Sequence, residues 1–330
     1  MVVSNGWMHL RCSSFCFDFI KNSKQKANWK DLITMLGYCF YLPVFFIGPI
    51  ILYEDFSKAM MLPFEKWSWK RVLDLFINLS RFLFWLVVTD FSLYFFYAHA
   101  LQYHIQEVER LGLWTLNGLG YFLGQFFCNK YIVLYGLAGT IAKAERYYAP
   151  PTPKCIARIH LYSETWRTFD VGYYSFLLKY MYIPLCGEKR NMTRKLSASF
   201  LCFCFVFIWH GMEISVFIWS LLNFIGITLE AVGRSVANSE LYKSLQKKTL
   251  SPTNIRRFNA LITSPLFAMS AISNFYFFGG TNVGNSFFKQ FYQGPWYFSL
   301  VLWLFLYCMC NVSIEIKEWE LERKEKSKLL

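Results

Sequence analysis

Charge is scarce in this sequence. Only 17% of its 330 residues are Asp, Glu, Lys or Arg, while 55% are hydrophobic and 21% aromatic. A soluble domain of this length carries about a quarter charged residues, so an ordinary soluble fold is excluded. Acidic residues are scarcer than basic ones, 21 against 34, which leaves a net charge of +13. The excess Lys and Arg lie in short connections between apolar runs. That is the distribution of cytosolic loops, not of a nucleic-acid surface, and no nucleic-acid partner is expected. An ordered cysteine pattern is also missing. Several of the ten cysteines, such as Cys202, Cys204, Cys308 and Cys310, sit inside apolar runs without zinc-ligand spacing. They read as small apolar residues, with no disulfide framework. No cleavable leader is expected at Met1 either: MVVSNGWMHLRCSSFCF has neither a basic start nor a clean small-residue cleavage site.

What is present is a set of long apolar runs, which predicts an all-α polytopic membrane protein. The central run is residues 196–229, with His210 near its middle. As one helix it would rise about 50 Å, against a hydrocarbon core of about 30 Å. A break is expected at Trp209-His210-Gly211, because Gly lowers helix propensity. An imidazole inside the bilayer is a functional candidate by default. The structural alternative is a histidine bonded to a nearby backbone carbonyl. Glu213, three residues on, would share a helix face with His210 if the helix were continuous.

Along the chain, residues 2–20 are mildly amphipathic. Lys21, Lys24, Lys26 and Lys30 mark a basic loop. Residues 32–53 carry Pro43, Gly48 and Pro49, and read as a re-entrant segment whose broken backbone needs protein partners. Residues 73–101 are apolar but interrupted by Asp74, Arg81 and Asp90, which are expected to face the interior or pair with each other. Residues 113–142 form a further span, with glycines for close packing. Residues 143–195 are polar, basic and aromatic, and predict short interfacial helices. Spans are expected near residues 258–278 and 296–316, before a charged tail, 317–330. The glycines at 279–284 resemble a phosphate loop only superficially. Asn285 stands where Lys is required, and an apolar helix precedes them. The sequon at Asn191 lies in a basic loop and is not expected to be glycosylated.

Asp170, in WRTFDVG, reads either as a helix N-cap or as a carboxylate working with the histidine. The segments WRTFDVG (166–172), KYMYIPL (179–185), FIWHG (207–211), LNFIGITLE (222–230) and SNFYFFGG (273–280) together resemble the membrane-bound O-acyltransferase family, and within it the Hedgehog acyltransferase branch. The resemblance covers nearly the whole chain. It implies a helical bundle with re-entrant segments around a central membrane chamber. Residues 1–316 would be one acyltransferase domain, lacking the family's first membrane segments, and residues 317–330 a cytosolic tail.

The resemblance also implies roles. His210 is the general base, Asp170 the second signature polar residue, Trp166 lines the acyl-CoA entry, and Asn274 faces the chamber. Cys155 matches a position that ligates haem iron in this branch, with a structural cysteine as the alternative. Cys186 stands where relatives have Gly. The implied reaction is transfer of palmitate from palmitoyl-CoA to the N-terminal cysteine amine of a Hedgehog-type secreted protein. Lys189, Arg190 and Arg194 would favour the nucleotide phosphates. The alternatives are O-acylation of a lysolipid or glycerol, and a non-catalytic binder of acyl-accepting partners. Membrane lipids complete the expected partners. The ending Lys326-Ser327-Lys328-Leu329-Leu330 fits an endoplasmic reticulum retrieval signal, so that membrane is the expected location, or else the Golgi.

Overall fold

The computed structural model describes residues 2–22, 26–63, 65–188 and 191–329, and helix is the regular structure among them. The first half holds α1 (Val2–Asn22), α2 (Trp29–Cys39), α3 (Tyr53–Met60), α4 (Trp69–Phe95), α5 (Ala98–Leu101), α6 (Ile105–Arg110) and α7 (Leu113–Ala144). The short helices α8 (Tyr162–Thr168), α9 (Val171–Leu177) and α10 (Ile183–Cys186) follow. The long helices α11 (Met192–Trp209), α12 (Ile214–Ala237), α14 (Pro252–Gln293) and α15 (Trp296–Leu329) close the chain, with α13 (Glu240–Thr249) between α12 and α14. Five of these, α4, α11, α12, α14 and α15, are long and apolar enough to cross a membrane. The expected polytopic all-α fold is therefore observed. Helix α7 is long enough, but Gln125, Asn129 and Lys130 interrupt its apolar run, and it is not one of the five. The charged tail continues α15 without a break.

Starts and stops follow local chemistry. Asn28 caps α2, accepting from the Lys30 and Asp31 N–H groups, while the Asp31 carboxylate accepts from the Asn28 N–H. This reciprocal pair satisfies donors that a helix start leaves open. Ser68, Ser239 and Ser251 cap α4, α13 and α14 with one bond each, accepting from the N–H groups of Arg71, Tyr242 and Asn254. Helix α14 changes direction at Gly280, whose φ of +76° suits glycine, where the sequence ends its predicted span. Gly279 and Gly284 on either side of it are helical, so no phosphate loop forms.

Two compact units divide the chain. The first comprises Met1–Phe96, Phe126–Pro153 and Arg167–Cys202. At its centre is the predicted broken segment. Helix α2 ends, a single 3-10 turn spans Leu42–Val44, and extended chain leads to α3. The orphaned backbone groups are met by side chains. Arg11, buried on α1, donates to the carbonyls of Cys39 and Val44. The Trp7 indole donates to Gly48 O at 2.7 Å, and Tyr38 donates to Ile51 O at 2.7 Å. The Tyr53 N–H donates to Ser14. Such partners are what non-helical backbone in a membrane requires. Gly172 of α9 lies on this segment; a Cβ there would meet the Ile50 backbone, its nitrogen at 2.7 Å. Gly172→Ala is thus expected to destabilise the protein by about 1–3 kcal/mol. A lower thermal unfolding midpoint in detergent reads this out, and an unchanged midpoint would mean that the contact yields.

KYMYIPL forms a turn of π-helix over Leu178–Tyr182 leading into α10. Lys179 bridges Asp18 at 2.9 Å and Glu54 at 2.8 Å, and Tyr180 donates to Asp18 at 2.8 Å. The motif thereby braces α1 and α3. Cys186 is buried at the end of α10, where Gly187 turns the chain at φ +61°.

On α4 the expectation needs correction. Asp74, Arg81 and Asp90 are all exposed, and no ion pair joins them among the described residues. The helix packs through Phe82, buried against Gly136, and through Thr89, which accepts from Asn129. Phe82 and Thr89 lie two turns apart on one line, and the three charges fall off it. Arg81 lies over the Phe82 ring at 4.5 Å instead.

The second unit comprises Tyr97–Gln125, Lys154–Trp166 and Phe203–Leu330. The polar stretch before α8 is tied to its long helices. Lys154 bridges Glu164 at 3.1 Å and Glu320 at 2.8 Å, and Lys317 reaches Glu164 at 2.8 Å. Glu230 of α12 accepts from the N–H and hydroxyl of Ser163. Val108, Leu116, Val283 and Phe287 form a buried apolar cluster beside Phe275.

Candidate active site

The second unit also contains His210, and the WHG sequence explains how it is held. Helix α11 ends at Trp209. The Gly211 N–H bonds to Ile208 O and the Met212 N–H to Phe207 O, with Gly211 at φ +110°. This pair of bonds is the helix-ending motif that requires a left-handed residue, normally glycine, just past the cap. His210 is the cap residue. The expected break is therefore present, and its glycine has a stated job.

The expected contact of His210 with Glu213 across one helix face is not formed as such. The helix has ended, and Glu213, exposed and extended, precedes α12 as its cap residue. Instead the His210 Nδ1 lies 2.8 Å from Val206 O. A carbonyl only accepts, so Nδ1 carries the proton and the lone pair of the neutral ring is on Nε2. The backbone bond weighed as the structural alternative is real, and it also decides which ring nitrogen keeps the lone pair.

Aromatic rings surround the imidazole. Trp219 lies 5.3 Å away and Phe277 5.4 Å away, both edge-on, and those two rings are 4.5 Å apart. Trp219 donates its indole N–H to Asn274 Oδ1 at 3.2 Å, and Asn274 donates to Ser270 O at 3.0 Å. Trp166 lies 5.7 Å from Trp219 and edge-on to Phe203 at 5.0 Å. Its indole donates to Asn223 Oδ1 at 2.9 Å, and Asn223 donates to Trp219 O at 2.8 Å. Three residues picked from the sequence, His210, Trp166 and Asn274, thus meet through two that were not, Trp219 and Asn223. The available signal was Asn223, an amide inside an apolar run, one turn after Trp219.

Asp170 belongs to the first unit. It is the N-cap of α9, accepting from the Tyr173 N–H at 2.9 Å, and its other oxygen accepts from the Tyr135 hydroxyl at 2.6 Å. Burial pushes its carboxyl above the ordinary value, partly offset by donors from Tyr135 and from the backbone of Tyr173 and Gly172.

Two other groups take structural roles. His160 is buried, and Nδ1 lies 2.8 Å from Ser313, whose hydroxyl donates to Arg158 O. Burial, reinforced by Lys317, pushes the His160 pKa down to about 4. It stays neutral and pins α15. Cys155 does not fit the haem reading. Its thiol donates to Gln125 Oε1 at 3.9 Å, and the neighbouring Ile156 side chain lies against Gly124. A ligating sulfur must be a thiolate, whereas this half-buried one serves as a donor to an amide oxygen. Haem ligation is therefore replaced by a packing role. Lys189 and Arg190, expected to meet phosphates, lie outside the described residues; Arg194 is exposed on α11, whose start Asn191 caps at 2.9 Å.

In a multi-span helical protein, a histidine of fixed tautomer, an amide and two indoles are thus gathered in apolar surroundings. The membrane-bound O-acyltransferase family model matches residues 3–273, and the chain belongs to that family. It is 34% identical over 286 residues to protein-cysteine N-palmitoyltransferase Rasp of Drosophila melanogaster, covering 86% of this chain and 56% of that protein. To protein-cysteine N-palmitoyltransferase HHAT of Mus musculus it is 33% identical over 265 residues, 79% of this chain and 53% of that one. Membrane-bound O-acyltransferase GUP1 of Millerozyma farinosa is more distant, at 27% over 218 residues, 62% of this chain and 40% of that one. The chain spans about half the length of the relatives it matches.

Proposed function

We propose that this protein transfers a palmitoyl group from palmitoyl-CoA to the N-terminal cysteine amine of a Hedgehog-type secreted protein. The observation that carries the reading is His210, its Nε2 lone pair set by the bond to Val206 and its ring beside Asn274 and Trp219, in a chain whose relatives are named protein-cysteine N-palmitoyltransferases. In the reaction, the amine nitrogen attacks the thioester carbonyl carbon. His210 takes the amine proton as the new C–N bond forms. The C–S bond then breaks, and the departing CoA sulfur receives the proton. An Asn274 N–H donates to the carbonyl oxygen as charge gathers there; losing one such donor typically costs about 2.7–4 kcal/mol. The apolar rings exclude water that would hydrolyse the thioester. Asp170 acts as the second polar group of the reaction. Arg194 and its basic neighbours favour the nucleotide phosphates. Residues 1–316 are the catalytic domain in this reading, and 317–330 the cytosolic tail.

The test is label transfer from palmitoyl-CoA to a peptide beginning with Cys and carrying a Hedgehog-like N-terminus. Labelling is expected with the free amine, absent with the N-acetylated peptide, and stable to hydroxylamine, which cleaves thioesters and spares amides. Label found only in a lysolipid would move the function to O-acyl transfer, the activity named for the GUP1 relative. No label in any acceptor would leave a binding protein.

The proposed location is the endoplasmic reticulum membrane. Replacing Lys326 and Lys328 by Ser is expected to let the protein reach the Golgi in fractionated cells. An unchanged distribution would remove the tail as the retention signal.

A further inference from the structure

We infer that Trp219 is a positioning residue that fixes the amide of Asn274 so that its nitrogen, not its oxygen, is presented to the reacting carbonyl. The inference rests on the acyl-transfer reading above.

An indole N–H donates only, so the Asn274 atom 3.2 Å from Trp219 Nε1 must be the oxygen. A backbone carbonyl accepts only, so the atom 3.0 Å from Ser270 O must be the nitrogen. Two independent partners, one on α12 and one on α14, therefore demand the same orientation. A flipped amide would set N–H against N–H at Trp219 and oxygen against oxygen at Ser270. With the oxygen committed and one N–H on Ser270, the second N–H of Asn274 has a fixed direction.

Trp219 is itself rigidly placed. It is only 8% exposed. Its ring is packed against Phe277 at 4.5 Å, His210 at 5.3 Å and Trp166 at 5.7 Å. The carbonyl of the same residue accepts from Asn223, which holds Trp166 in turn. One side chain thus forms a wall beside the base and sets the direction of the amide. Preorganised donors of this kind act only if they cannot rotate away before charge develops.

The experiment uses the full chain in detergent with ¹⁵N-labelled indoles. Trp219→Phe keeps an aromatic ring, a smaller one, and removes the N–H. It is expected to lower kcat at least tenfold, with KM for palmitoyl-CoA changed less than twofold, because the interaction is made in the transition state. Added to Asn274→Ala it should cause no further loss, since both act through one group. The Trp219 indole N–H resonance, identified by its absence in Trp219→Phe, is expected to move upfield in Asn274→Ala. In Asn274→Asp, which keeps an oxygen for the indole but has no donor, the resonance stays downfield while transfer is lost. A Trp219→Phe rate within twofold of wild type, additive losses in the double variant, or an indole resonance unmoved by Asn274→Ala each overturn the inference. If Trp219→Phe does not fold, the two Asn274 variants decide it with Trp219 intact. A wild-type chain without transfer activity defeats the function reading alone, and the resonance still decides whether Trp219 holds the amide.

Discussion

Replacing His210 by Ala is expected to abolish acyl transfer, a loss of about 10²–10⁴-fold, while expression and membrane insertion persist. The side chain is half-buried at the end of α11. Its Nδ1 is bonded to Val206 O, a carbonyl that also accepts the His210 backbone N–H at 3.1 Å. The cap geometry belongs to Gly211 and survives the substitution. His210→Gln makes the test sharper. An amide N–H can replace Nδ1–H towards Val206, yet it offers no basic nitrogen. Both variants should be inactive in the peptide assay at equal protein levels. Turnover at the wild-type rate in either would remove the base assignment.

Asp170→Asn is expected to cost on the order of 10²-fold in transfer with little loss of stability. Asn caps helices as well as Asp does, so the bond from the Tyr173 N–H survives. What disappears is the charge facing the Tyr135 hydroxyl. Asp170→Ala removes the cap as well and should add about 1 kcal/mol of destabilisation. Comparing the rate and the unfolding midpoint of the two variants separates the roles. If Asp170→Asn works normally, the residue is a cap and no more.

Much of this was legible in the sequence because local rules sufficed. A run too long for one crossing had to break, and glycine after His210 marked where. Pro43, Gly48 and Pro49 announced the broken segment of the first unit. The sequence did not announce its partners, because Arg11, Trp7 and Ser14 are ordinary members of a weakly amphipathic helix until the fold brings carbonyls to them. Trp219 was hidden for the opposite reason: an aromatic residue in an apolar run looks like packing until its N–H is seen on Asn274. The charges of α4 were misread because burial was inferred from helix composition. Which side of a helix packs is a tertiary property, set here by Phe82 fitting Gly136. Of the two readings of Asp170, the structure shows the cap, with a buried phenol on its other oxygen; the catalytic one waits on the Asp170→Asn rate.

The dependence of the broken segment on α1 has a consequence for biogenesis. A helix satisfies its own backbone and can enter lipid alone, whereas the carbonyls of Cys39, Val44 and Gly48 are answered by residues made earlier on the ribosome. Arg11 and Trp7 are already translated when those carbonyls emerge, so the template precedes the part that needs it. For these three carbonyls, the order of translation supplies the donor before the acceptor.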